Sequence, residues 1–265
     1  MSQNFSGKFQ EKVEVSSTQN KKWTVDSFSK GTIFIELQSD CTDFHLELNV
    51  KESANVQVLV LNHASNACIL DVIINMEEYS NCKMGVLDLQ DEPLTWNQKT
   101  NLNKEGAHYE VWSAQLCMEN QLKKGNMEVE HFASHTEGIM KNFAVLFDEG
   151  KYEMVANGNI NKGCQEAQSH QATRVLTLGK NHSAKVTPLL LIDENDVKAS
   201  HALTIGQPDE NQLYYLQSWG LSTKQALGLL SVGYFLPVID FVEDEELKLS
   251  LREEMERKVG LYGHK

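Results

Sequence analysis

The runs Ile33-Phe34-Ile35-Glu36-Leu37, Phe44-His45-Leu46-Glu47-Leu48-Asn49-Val50, Val56-Gln57-Val58-Leu59-Val60 and Leu70-Asp71-Val72-Ile73-Ile74 decide the fold class. In each of them apolar side chains recur at every second position, and a period of two sends them to one face of a strand. Their starting points, Ile33, Phe44, Val56 and Leu70, follow at a near-even pitch, with short polar turns between them such as Glu52-Ser53-Ala54-Asn55 and Ala64-Ser65-Asn66-Ala67. Similar runs continue at Tyr109–Leu116, Met127–Phe132, Phe143–Phe147, Tyr152–Val155, Val175–Leu178 and Val186–Ile192. Short strands at even spacing fit a β-sandwich or a stacked β-helix. The near-regular pitch and the scarcity of proline and tight hairpin turns favour the stacked form, whose repeats bury their faces on one another.

The pattern changes at Gly206. Pro208 fits a first helical turn, Asp209 and Glu210 suit the positive end of a helix, and Leu213, Leu216 and Gly220 follow at helical spacing. Ser222 with Gln225 forms a capping box for a second helix through Ala226, Leu229 and Leu230, which Pro237 is expected to end. A third helix is expected from Glu243 to Val259, with an apolar stripe of Leu247, Leu251, Met255 and Val259 packing on the other helices. Its acidic run reads as a solvated face. The expected division is therefore a polar segment 1–22, a β core 23–205 and a helical region 206–265.

The 265 residues suffice for one large core. With 24 basic and 37 acidic residues the formal charge is −13, which disfavours nucleic acid and anionic lipid as partners. Met1 to Lys12 is polar and no segment approaches a membrane span, so a soluble, cytoplasmic protein is expected. Cys41, Cys68, Cys82, Cys117 and Cys164 are odd in number and widely spaced, without a C-x-x-C pair, so they read as reduced thiols. Cys68 and Cys82 each stand just before a strand-like run, which would stack them on successive layers; the plainer reading is buried small hydrophobes.

No glycine-rich phosphate cradle and no G-x-S-x-G elbow is present, so no catalytic motif is read. His131 and His135 belong to a strand running into a turn and lack the glutamate of a zinc-protease site, which favours a structural or surface role. His63, His170 and His182 fall in turn-like segments and are expected to be exposed. A carbohydrate-active enzyme on a β-helix is the alternative from another class, although no carboxylates recur at the rung spacing.

Asp193-Glu194-Asn195-Asp196-Val197-Lys198-Ala199-Ser200-His201-Ala202-Leu203-Thr204-Ile205-Gly206 leads into Asp209-Glu210-Asn211-Gln212-Leu213-Tyr214-Tyr215-Leu216-Gln217-Ser218-Trp219-Gly220-Leu221-Ser222. This string resembles the C-terminal signature of the SufB/SufD family of iron–sulfur cluster assembly proteins, and is closer to its SufD branch. Weaker likenesses lie upstream at His131–Thr136, Gly158 with Ile160, Gln171, and Leu176–Ala184 before Pro188. The resemblance implies a single-stranded right-handed parallel β-helix with a small C-terminal helical region. It further implies a scaffold without turnover, paired with itself or a SufB-like paralogue and bound to a SufC-type ABC ATPase. His201 matches the family's interface histidine, a candidate ligand for a transient Fe–S cluster shared with the partner; the alternative is a hydrogen-bonded interface histidine without metal. Tyr215, Gln217, Ser218, Trp219 and Leu221 are the candidate ATPase-binding residues. The chain departs from the family at Ala199, where a cysteine is common in the SufD branch, and at Gln217-Ser218-Trp219-Gly220, where the family reads R-S-R-G. The family's N-terminal helical extension is not read either. A shortened or divergent member is implied, and a paralogue without cluster chemistry is the further alternative.

Overall fold

The computed structural model describes residues 2–240 and 245–260. Sixteen strands form two parallel sheets of eight. The first contains β1 (Ser2–Phe5), β3 (Thr18–Val25), β5 (Asp43–Val50), β7 (Cys68–Met76), β9 (Leu94–Leu102), β11 (Leu122–His131), β13 (Lys151–Ile160) and β15 (Ser183–Ile192), in that order. The second contains β2 (Lys8–Val15), β4 (Lys30–Leu37), β6 (Asn55–Asn62), β8 (Asn81–Asp88), β10 (His108–Cys117), β12 (Glu137–Leu146), β14 (Ala167–Thr177) and β16 (Val197–Gly206). Consecutive strands alternate between sheets, so each pair is one rung of a parallel β-helix and each strand bonds to the equivalent strand of the next rung.

The alternation in the sequence maps onto this geometry. In β5 the residues Phe44, Leu46, Leu48 and Val50 are buried while the intervening ones are partly exposed. Across rungs the inward side chains stack in columns, for example Ile33, Val58, Met84, Val111 and Met140. Each fully buried Leu, Val or Phe contributes roughly 1.5–3 kcal/mol. Ser2 stacks on Lys22 at the start of the solenoid, Phe44 on Leu70 further along, and Met154 on Val186 near its end. The stretch of chain between stacked partners grows from the first of these pairs to the last, and this lengthening is why the repeat is faint in the sequence.

One corner is built from a column of left-handed residues. Phe28, Ser53, Tyr79, Gly106, His135 and Glu166 all have positive φ. Each of these except Gly106 donates its N–H to a carbonyl of the next rung, as in Tyr79 to Glu105 O at 2.9 Å. The Tyr79 ring lies over Gly106, where a Cβ would sit 2.2 Å from it. Inter-rung bonding compensates the left-handed cost at the non-glycine positions.

Several expectations need correction. The expected polar segment 1–22 does not stand apart from the solenoid: from Ser2 on, β1, β2 and the start of β3 are strands of it, and they read as polar because no described strand covers their outer side. Cys68 and Cys82 do not stack, because they lie in opposite sheets; all five cysteines are nonetheless buried and free. His170 is within β14 rather than a turn, and His63, His170 and His182 are all partly buried.

The helices are α1 (Glu210–Ser218), α2 (Thr223–Ile239) and α3 (Glu245–Lys258). Asp209 caps α1 rather than entering it, accepting from Asn211 N and Gln212 N at 2.7 and 3.2 Å. The Ser222/Gln225 capping box is present. Pro237 does not end α2 but stands in its last turn. A proline there removes the bond its own nitrogen would make to the Gly233 carbonyl and crowds that carbonyl with its ring, a cost offset by the burial of Val238 and Ile239 beyond it. Glu243, the expected start of the third helix, lies outside the described residues.

Val232, Phe235, Val238 and Ile239 of α2 and Leu251, Met255 and Val259 join one apolar cluster with Leu61, Leu87, Leu116 and Val145 on the outer face of the second sheet. The stripe of α3 thus packs on the sheet as well as on α2. The outer face of the first sheet carries no helix among the described residues.

Candidate functional site

β16 is the last strand of the second sheet, and no described strand lies beyond it. In its register with β14, Val197, Ala199, His201, Leu203 and Ile205 stand over Ala167, Ser169, Gln171, Thr173 and Val175. Those β14 residues face the interior, so His201 continues the column that runs up through Met140 and Gln171. It is nevertheless exposed, because nothing among the described residues covers this rung. Leu203 and Ile205 beside it are 41% and 44% exposed, and Ile192 of β15, which stands over the buried Ile160, is 37% exposed. The end of the solenoid is therefore an open apolar rim with one imidazole in it.

The groups beneath the rim are polar. Gln171 Nε2 donates to Leu189 O at 2.7 Å, while its Oε1 and Ser169 Oγ, both buried, have no partner among the described residues. Deeper, His131 is fully buried with Nδ1 2.8 Å from Thr136 Oγ1. The Thr136 hydroxyl donates its proton to Ala133 O at 2.9 Å, so Nδ1 carries the hydrogen and Nε2 is a bare acceptor. Burial pushes the His131 pKa down to about 4, and the ring is neutral at physiological pH.

No thiol completes a ligand set around His201. Cys164, in the corner before β14, packs with Ile160, Ala167 and Val197 and donates to His131 O at 3.2 Å. Among the described residues no group of three or more His, Cys, Asp or Glu side chains is placed to hold a metal ion. Ala199 stands in the interior column of β16, on the same face as His201.

The five residues of the α1 region differ in availability. Tyr215 and Trp219 are 60% and 74% exposed and meet edge-to-face at 6.0 Å. Gln217 is used within the fold, donating to Thr223 Oγ1 at 3.0 Å and tying α1 to α2. Ser218 bonds back to Tyr215 O at 2.6 Å, and Leu221 is half-buried. Tyr214 is also 75% exposed, next to Tyr215 in α1.

A recess of about 420 Å³ lies on the outer face of the first sheet. Among its charged groups Lys22 pairs with Glu47 at 2.7 Å and His45 with Asp71 at 3.0 Å.

Residues 9–234 match the family described as SUF system FeS cluster assembly, SufBD core domain. The chain belongs to the SufBD family. This SufBD chain is 32% identical over 160 residues to the iron–sulfur cluster assembly protein SufD of Bacillus subtilis, covering 60% of the chain and 37% of that relative. It is 26% identical over 157 residues to SufD of Escherichia coli, 58% of the chain and 37% of the relative. Protein ABCI7 of Arabidopsis thaliana, a chloroplastic protein, is 29% identical over 104 residues, 39% of the chain and 22% of the relative. The matched stretch is thus well under two thirds of the length of each of these relatives. Among the described residues no helix is long and apolar enough to cross a membrane.

Proposed function

We propose that this SufBD chain is a scaffold of SUF-type iron–sulfur cluster assembly, without turnover of its own, working in the cytoplasm or an equivalent reducing compartment. The carrying observation is the last rung, where His201 stands exposed on β16 beside Leu203 and no described strand pairs with the outer edge of β16. An apolar rim and a free strand edge favour a second β-helix, either another copy or a SufB-like paralogue, as the occupant. The exposed Tyr215–Trp219 pair on α1 is the surface we assign to a SufC-type ATPase, aromatic side chains being common anchors at interfaces.

The cluster in this reading is cargo. A single imidazole with no neighbouring thiolate is half a site, so the partner must supply thiolates, the usual ligands of Fe–S clusters. Absence of a local thiol also favours a second reading, a scaffold paralogue that keeps the contacts and carries no cluster. One experiment separates them: anaerobic iron and sulfide loading of the native complex with and without His201→Ala. Loss of at least half of the bound iron in the variant, with pairing unchanged, supports the ligand role. Unchanged iron supports the second reading, and failure of the wild-type chain to capture either partner overturns the scaffold.

A further inference from the structure

Cys41 and Cys68 occupy the same corner of successive rungs, between the second sheet and the first. Ile69 N donates to Thr42 O at 2.8 Å, which seats the Cys68 corner directly on the Cys41 corner. Each backbone is held in place: Cys41 N bonds to Gln38 O at 2.9 Å and Cys68 N to Pro93 O at 3.0 Å. Both side chains turn inward, 0% and 2% exposed, and the two thiols lie close enough to perturb each other's ionisation, with Cys68 Sγ donating to Ile69 O at 3.8 Å. Asp40, Thr42, Ala67 and Ile69 are partly or fully exposed around them, so a single layer of chain separates the pair from solvent.

We propose that Cys41 and Cys68 form a peroxide-oxidisable dithiol, a modification site that closes into a disulfide linking two rungs. The other three cysteines lack such a partner: Cys82 is in β8, Cys117 ends β10 and Cys164 sits in the corner before β14. Burial pushes the Cys82 thiol up to about 12 and that of Cys117 upward too, which keeps both protonated and inert. Cys41 shifts the other way, lowered by the neighbouring Cys68 thiol against the opposing effects of burial and of the Asp40 and Asp43 charges. Cys41 is therefore the attacking sulfur. Its thiolate takes the terminal oxygen of hydrogen peroxide, giving a sulfenic acid and hydroxide. The Cys68 sulfur then displaces that hydroxyl, forming the S–S bond; the two thiol protons leave in two waters, two sulfurs are oxidised and one peroxide is reduced.

The test is thiol counting on the native chain. Fully reduced protein is exposed to limiting hydrogen peroxide, quenched with catalase, then unfolded and alkylated. The reduced chain takes five labels; the oxidised chain is expected to take two fewer, with one cross-linked peptide joining Cys41 to Cys68, and dithiothreitol to restore all five. Cys68→Ser is expected to stop at a Cys41 sulfenic acid trapped by dimedone. Five labels after oxidation, a bridge involving Cys82, Cys117 or Cys164, or dimedone capture at another cysteine overturns the proposal. The wild-type peptide map stands even if a serine variant misfolds.

Discussion

Lys123 is fully buried in β11, with Nζ 2.7 Å from Asp88 Oδ2 and a further bond to Glu92 O. Asp88 also accepts from Asn62 Nδ2 at 3.0 Å and Gln90 N at 3.1 Å. A charge pair away from water persists only when each ion is matched, and removing one partner strands the other. Lys123→Met is expected to destabilise the chain by about 3–5 kcal/mol in urea unfolding, and Asp88→Asn added to it to recover more than half. Full additivity of the two substitutions would show that the pair is not coupled. Neither residue stands out in the sequence: Lys123 is followed by a second lysine, and only the register of β11 against β9 and β13 turns its side chain inward. His201 is the converse case. Its motif is plain in the sequence, while its position on an open interior column follows from its pairing with Gln171.

α3 is held to the solenoid by an apolar stripe and by one polar clasp. His63, just after β6, bridges Glu36 of β4 at 3.0 Å and Glu254 of α3 at 3.2 Å. Lys12 shares Glu36 at 3.3 Å, and Lys258 reaches Asp91 at 3.0 Å. The hydrogen bond His63 donates to Glu254, then burial working against it, and the Glu254 and Glu36 charges leave the His63 pKa raised above 6.5. A raised folded-state pKa places the stabilisation below the unfolded value and removes it as pH rises through the folded value. Amide protection in α3, corrected for intrinsic exchange, is therefore expected to be greatest near pH 6 and to fall on the alkaline side. Glu254→Gln should flatten that dependence and cost about 1 kcal/mol of docking; an unchanged pH profile would remove the clasp from the account. The amphipathic stripe of α3 was legible as helix, but its resting place was not, since a stripe specifies burial without naming the surface that buries it.

The described residues form a stack with the outer face of its second sheet covered by helices and its last rung uncovered by any of them. Parallel sheets are ordinarily covered on both faces, and unpaired edges invite partners. Leu203→Asp is expected to leave the melting profile within a few degrees of wild type, because the residue is already exposed. It should weaken pairing through β16 at least tenfold in sedimentation. Equal assembly by the variant would place the interface elsewhere. The stacking of eight strands in each sheet also explains why the strands could be read at all: a repeating neighbour demands the same alternation from every rung.

Sequence alone determined that the chain is built of short alternating strands followed by capped helices, because periodicity and capping are local and each residue carries its own side-chain preference. It also carried the SufBD likeness, in the string from Asp193 to Ser222. Tertiary structure decided what no local signal holds: that the polar segment from Ser2 to Lys22 already belongs to the stack, that Cys41 lies by Cys68 rather than Cys68 by Cys82, and that Pro237 rides inside a helix. It also decided that His201 lies on an uncovered rung. Each of the rung placements depends on which turn of the solenoid lies above which. Because the step between stacked partners lengthens from Ser2↔Lys22 to Met154↔Val186, that pairing is settled only when the rungs close on one another.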